Sequence, residues 1–179
     1  MKTCKRCKEP FKAYNTIQKH CVSCSIEIAK EKQQAKANKE WRAKKKKLKE
    51  GLKTRSQKIN DARKIFQQFI RARDKNLPCI SCGTETSTYW DAGHYLKAEL
   101  YTGLIFNEDN CHKQCRKCNS YLGGNEIEYR ISLEDRIGKQ RLKTLEDSRN
   151  ALRSYVWEDS ELEEIKKKYK NLLKSLQGK

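Results

Sequence analysis

Residues 79–119 read CISCGTETSTYWDAGHYLKAELYTGLIFNEDNCHKQCRKCN, and the two ends of that stretch decide the fold between them. Each end is a C-x-x-C knuckle, Cys79/Cys82 and Cys115/Cys118. Four thiolates so spaced can surround one Zn2+ tetrahedrally, which would draw the ends of the segment together. The intervening residues are unusual for a simple ribbon. They hold two histidines, His94 and His112, and the Asn/Asp-rich runs Asp91-Ala92-Gly93-His94 and Phe106-Asn107-Glu108-Asp109-Asn110. A structural ribbon has no need of these, whereas a site that binds a second, hard metal and activates water does. Thr88-Tyr89-Trp90 and Leu104-Ile105-Phe106 are the β-prone runs of the segment. Trp90, Tyr95 and Tyr101 read as core or hairpin packing rather than as base-stacking platforms.

Working outward, a second pair of knuckles, Cys4-x2-Cys7-x13-Cys21-x2-Cys24, opens the chain and predicts a small zinc ribbon over residues 1–25. In so short a segment the metal would supply most of the folding free energy. His20 is a possible substitute ligand there, but four cysteines already close the shell. Cys111 is the odd ninth cysteine, to be read as a buried thiol or as a replacement ligand. Residues 26–76 are rich in Lys, Ala, Glu and Gln, which favour helix. Only the later part carries an apolar stripe, at Ile59, Ala62, Phe66, Phe69 and Ile70, running on to Arg73, so this basic helix is expected to begin exposed and end packed on a core. Pro78 disfavours helix at Leu77 and marks its end. After the site-like segment, 77–125, residues 126–179 read as helices broken near Gly138 and around Trp157–Ser160, with Ser160 and Glu163 a possible capping box.

Composition bounds the function. Hydrophobic and charged residues each make up 36% of the 179, so a single apolar core along the whole chain is not expected and the cysteines must help hold it. The net charge of +18 is lopsided: residues 1–76 carry 24 Lys and Arg against 7 Asp and Glu, while the remainder is nearly balanced at 17 against 16. Such a field attracts polyanions, with affinity that falls steeply in salt. Residues 30–58 offer too little apolar face for a membrane-surface helix. The start, Met1-Lys2-Thr3-Cys4-Lys5, lacks the apolar core of a signal peptide, and no run is long enough to span a bilayer. Reduced thiols in a cytoplasm-like compartment, and metal-binding rather than disulfide chemistry, are therefore expected.

Cys79-x2-Cys82, the Gly93-His94-Tyr95 turn and Asn110-x4-Cys115-x2-Cys118-Asn119 together resemble the HNH (ββα-metal) endonucleases that carry a four-cysteine zinc staple. The whole chain more closely resembles the lambdoid phage NinG (Rap) recombination family. That likeness adds Phe66-x2-Phe69-Ile70-Arg71-x-Arg73-Asp74, Gln114-Cys115-x2-Cys118-Asn119 and Gly123-Gly124-Asn125-x3-Tyr129. It implies a structure-specific endonuclease acting on branched recombination intermediates in the host cytoplasm. His94 then takes the position of the general base, Asn110 that of the asparagine orienting it, and Asn119 that of a ligand to a catalytic Mg2+ or Mn2+. One departure stands out: many HNH sites have Asp directly before the histidine, and this chain has Gly93. Asp91 is a candidate for the missing carboxylate, although strand register would aim it differently, and His112 and Asn125 are further candidates. The plainer readings are a turn histidine at His94, a turn-forming Asn110 and a zinc-proximal or surface His112.

The expected protein is α+β: a zinc ribbon (1–25), a basic helical DNA-binding arm (26–76), a ββα-metal core with a second structural zinc (77–125) and a helical C-terminal segment (126–179). Branched DNA is the expected partner, and two cuts in a symmetric junction favour a homodimer, with the C-terminal helices one candidate interface. The rival is a non-catalytic zinc-ribbon nucleic-acid-binding protein, which accounts for charge and cysteines but not for the spacing of His94 and Asn110 from the second knuckle. An RNA-directed nuclease is a third reading.

Overall fold

A computed structural model describes residues 1–178; Lys179, the last residue of the C-terminal segment, lies outside them. The chain divides into two compact units, Met1–Lys53 and Thr54–Lys179.

The first unit opens with two-residue strands β1 (Lys2–Thr3) and β2 (Pro10–Phe11), paired antiparallel with Lys2 opposite Phe11. Helix α1 (Val22–Gly51) follows, and Cys24 is the one residue on it that is buried. At 30 residues it extends about 45 Å. Its Lys-, Ala- and Gln-rich sequence supports helix by propensity, and the lack of an apolar stripe leaves it solvated.

The stretch read from sequence as one arm, 26–76, is two helices in the structure. Helix α2 (Arg55–Arg73) starts afresh at a capping box: Gln57 N–H donates to Thr54 Oγ1 (3.3 Å) and Thr54 N–H to Gln57 Oε1 (3.0 Å). Satisfying these end groups locally is what makes the restart after Gly51 favourable. The apolar stripe buries Ala62, Phe66, Phe69 and Ile70, as its spacing predicts. The helix stops at Arg73, earlier than Pro78 would require. Buried Asp74 turns inward there, bound by Arg73 Nε (2.7 Å) and accepting from Lys113 N–H (3.0 Å).

Strands β3 (Trp90–His94) and β4 (Cys111–Cys115) form an antiparallel pair, with Trp90 opposite Cys115 and His94 opposite Cys111. The second β-prone run does not form a strand. Thr102–Leu104 is a 3₁₀ turn, and Leu104, Ile105 and Phe106 are buried in two different clusters; an apolar run alone cannot separate a strand from a buried turn. After a single π-helical turn, Lys117–Tyr121, come α3 (Glu126–Ile137), α4 (Lys139–Ser148) and α5 (Asp159–Gln177). Gly138, at φ +84°, separates α3 from α4 where a break was expected. The capping box of α5 is Glu158/Glu161, two residues before the Ser160/Glu163 pair, because the helix already begins at Asp159.

Two apolar clusters hold this unit. In one, Phe66 of α2 meets Phe106 and Tyr169 edge-on, with centroids 5.8 and 4.9 Å apart. In the other, Tyr129, Leu133, Leu142 and Leu145 pack with Ile80, Tyr95 and Leu104. Tyr95 and Tyr101 join this cluster and Trp90 packs on the second set of cysteines, so all three are packing residues. No helix among the described residues is long and apolar enough to cross a membrane.

Candidate functional site

The eight knuckle cysteines gather as the spacing predicts. The sulfurs of Cys4, Cys7, Cys21 and Cys24 lie within 4.8 Å of one another, and so do those of Cys79, Cys82, Cys115 and Cys118. Both sets could hold zinc, and backbone N–H groups point at several of the sulfurs. Cys21 N–H donates to Cys4 Sγ (3.3 Å), and Cys24 sits in the first turn of α1. In the second set, Cys115 N–H donates to Cys79 Sγ (3.3 Å) and Cys118 N–H to Cys115 Sγ (3.4 Å). Asn125, held in the left-handed region at φ +45°, reaches Cys118 Sγ at 3.8 Å, so it serves this cluster. Four sulfur donors leave no position for water, as in structural rather than catalytic zinc sites. His20 stands outside the first set. Cys111 joins neither; it is fully buried, and burial pushes its thiol pKa far up, as befits an inert packing thiol.

His94 closes β3 and opens onto a cavity of about 340 Å3 that it shares with Asp91 and Asn119. Its Nε2 lies 2.9 Å from the Ile105 carbonyl. That partner can only accept, so Nε2 carries the proton and Nδ1 is left as the basic nitrogen. Burial, helped by the nearby charge of Arg63, holds the imidazole pKa down to about 4, which keeps the ring neutral at ordinary pH.

Asn110 does not line the cavity. It is completely buried and works on the backbone beside His94: Oδ1 accepts from Leu96 N–H (2.7 Å), and Nδ2 donates to the Leu96 (3.0 Å) and Leu104 (3.2 Å) carbonyls. It thereby ties the segment after His94 to the turn whose Ile105 carbonyl fixes the ring. Tyr129 adds a second anchor, its hydroxyl donating to the Gly93 carbonyl at 2.9 Å.

Asp91 and Asn119 meet, with Asn119 Nδ2 3.2 Å from Asp91 Oδ2; Arg116 Nε is 3.1 Å from the same oxygen. The concern that strand register would aim Asp91 elsewhere is answered by where His94 sits, at the strand end, so that both residues reach one cavity. Gly93 also has a reason. A Cβ there would overlap the end of the buried Gln114 side chain and approach Asn119 Oδ1 to 3.1 Å, so the carboxylate found before the histidine in many HNH sites would have to displace Gln114. His112 is not part of the set. It lines a different cavity with Arg73, Asp74 and Arg141, and its Nδ1 is 3.3 Å from the Tyr129 hydroxyl. The structure therefore brings together Asp91, His94 and Asn119 and leaves His112 out.

Sequence reading missed the opposite wall, where Arg63, Gln67 and Arg71 of α2 line the cavity. Their spacing of four residues, one edge over from the apolar stripe, was the available signal. Arg63 Nε is buried without a hydrogen-bond partner.

These features define a basic α+β protein built around two four-cysteine clusters that could hold zinc, with a histidine–carboxylate–amide cavity beside the second. The chain belongs to the NinG family: the family model described as Bacteriophage Lambda NinG protein matches residues 1–179. It is 45% identical over 127 residues to Protein ninG of Escherichia phage lambda, covering 71% of this chain and 61% of that protein. Protein ninG of Salmonella phage P22 is 44% identical over 125 residues, 70% of this chain and 60% of the relative. The matched region thus spans about three fifths of the length of these relatives. No solved structure matches the chain.

Proposed function

We propose that this protein is a divalent-metal-dependent endonuclease that hydrolyses phosphodiester bonds in branched DNA, such as Holliday junctions and D-loops. The observation that carries the reading is His94, neutral and pinned through Nε2 to the Ile105 carbonyl beside Asp91 and Asn119. In this mechanism Nδ1 takes a proton from a water as its oxygen attacks phosphorus and the P–O3′ bond breaks. Asp91 and the Asn119 amide oxygen are hard donors of the kind Mg2+ and Mn2+ accept, and two protein ligands with the balance supplied by water suit those ions. When bound, the ion would neutralise charge developing on the phosphate and on the leaving oxygen. Arg63 and Arg71 face the same cavity, and a phosphate oxygen would give the orphaned Arg63 Nε its missing partner. The Lys-rich α1 supplies grip that is indifferent to sequence, and selectivity would come from the shape of the branch. Branched intermediates are the substrate that the resemblance to recombination endonucleases and to HNH nucleases implies, and they enter here as part of the proposal.

The test is incubation of a labelled four-way junction with wild type and His94→Ala, with and without Mg2+ or Mn2+. Cleavage by wild type that needs the ion, and a loss of at least about 100-fold in His94→Ala with binding retained, is the expected result. Wild type that binds and never cuts would return the protein to the class of non-catalytic nucleic-acid binders. Normal cleavage by His94→Ala would remove His94 as the base, and preference for structured RNA would redirect the substrate. Two cuts in one junction call for two copies of the chain; sedimentation that finds only monomer, with and without junction, would remove the dimer from the proposal.

A further inference from the structure

A second depression, of about 470 Å3, is framed by Thr84, Thr86, Ser87, Thr88 and Tyr89, by Arg116 and Lys117, and by Tyr121, while Glu85 of the same turn does not line it. Its two aromatic rings belong to neither apolar cluster: Tyr89 is 64% exposed and Tyr121 79%. Rings left in solvent at a groove contribute nothing to the core, and no carboxylate is among the residues that line it. The groove is nevertheless held in shape. Cys82 and Cys115 form part of its wall, Cys79 N–H donates to the Thr84 carbonyl (2.8 Å), Arg116 N–H to the Tyr89 carbonyl (3.2 Å) and Ser87 Oγ to the same carbonyl (2.7 Å). Arg116 joins this groove to the His94 cavity: its guanidinium lies 5.6 Å from the Tyr89 ring centre, and its Nε bonds Asp91.

We propose that this groove binds an unpaired DNA strand, with bases stacked on Tyr89 and Tyr121 and phosphates met by Arg116 and Lys117. An aromatic ring can stack only on a base whose face is free, and within a duplex those faces are covered by neighbouring pairs. Cationic and hydroxyl groups with exposed tyrosines and no acid are the composition that a single strand requires. The inference deepens the proposed function by naming the feature of a branch that is recognised, the unstacked nucleotides next to the cut. It rests on that reading's nucleic-acid half and not on hydrolysis.

The experiment is fluorescence anisotropy with full-length protein and no added divalent ion, so that binding is read apart from cleavage. The ligands are a short oligothymidylate and a blunt duplex of equal length. The proteins are wild type, Tyr89→Ala/Tyr121→Ala and Tyr89→Phe/Tyr121→Phe, each checked for wild-type zinc content. Oligothymidylate affinity should fall by about tenfold or more in the alanine double variant, duplex affinity by less than about twofold, and the phenylalanine variant should bind both as wild type does. Oligothymidylate binding by the alanine variant within about twofold of wild type, or an equal loss on both ligands, would overturn the groove. A chain that never cleaves a junction yet shows the selective loss keeps the groove and loses the nuclease. A chain that cleaves while its alanine variant binds oligothymidylate normally keeps the nuclease and loses the groove.

Discussion

At His112 the fold buries an imidazole, 3% exposed, against the Tyr129 hydroxyl. Burial first, and then the charge of Arg73, holds its pKa down to about 3, against an ordinary value of 6.5. Between those values the unfolded chain binds a proton that the native chain refuses, so stability is complete above pH 6.5 and falls as the pH drops. The loss should reach about 2 kcal/mol by pH 5. Urea titrations of wild type and His112→Gln at pH 7 and pH 5, with zinc present, check this. The glutamine variant should lose about 2 kcal/mol less than wild type over that interval, and parallel losses would remove His112 as the cause. Gly93 and Asn110 make a different point at the same scale. Neither touches a candidate substrate, yet one leaves room for Asn119 and the other fixes the turn that orients His94.

Helix α2 works on two faces. Its inner face buries Phe66 completely between Phe106 and Tyr169, and the ring lies 6.5 Å from that of His94. Its neighbouring edge offers Arg63, Gln67 and Arg71 to the cavity. Phe66→Ala should cost about 3–5 kcal/mol, the range for removing a large aromatic from a packed core. Gln68→Ala, on the exposed side of the same helix, should change stability by less than about 0.5 kcal/mol. Chemical denaturation of both variants measures the difference, and equal effects would mean that α2 is not seated on the core as described. The capping box at Thr54 has a related lesson. A Thr-x-x-Gln signature was present after Gly51, but the continuous Lys-rich composition on both sides concealed that one helix ends and another begins.

For the whole molecule, the two units carry one cysteine cluster each, and the cores are confined to the second. Loss of either cluster should therefore have separable consequences. Cys7→Ser should lower the zinc count from two to one per chain, measured by native mass spectrometry, while the thermal transition of the second unit stays within about 2 °C of wild type. Cys118→Ser should lose the other zinc and take that transition with it, because its cluster joins β4, the turn at Cys79–Cys82 and the π-helical turn bearing Asn119. A Cys118→Ser protein that melts like wild type would show that the second cluster is not needed to hold the site.

The sequence alone determined the elements whose causes are local or periodic. The knuckle spacings foretold both cysteine clusters, the stripe from Ile59 to Ile70 foretold the buried face of α2, Gly138 marked a helix break, and the uneven charge marked the Lys-rich α1. Tertiary structure alone decided the membership of the cavity. Asp91 and Asn119 lie 28 residues apart and meet only once β3 pairs with β4 and the π-helical turn folds back. The same pairing sends His112 to a different cavity, sets the Gln114 side chain against Gly93, and turns Leu104–Phe106 into a buried turn rather than a strand. Composition and spacing record what a residue can do. Its neighbours are set by long-range packing, and it is the neighbours that decide whether an imidazole stays neutral or a carboxylate is within reach.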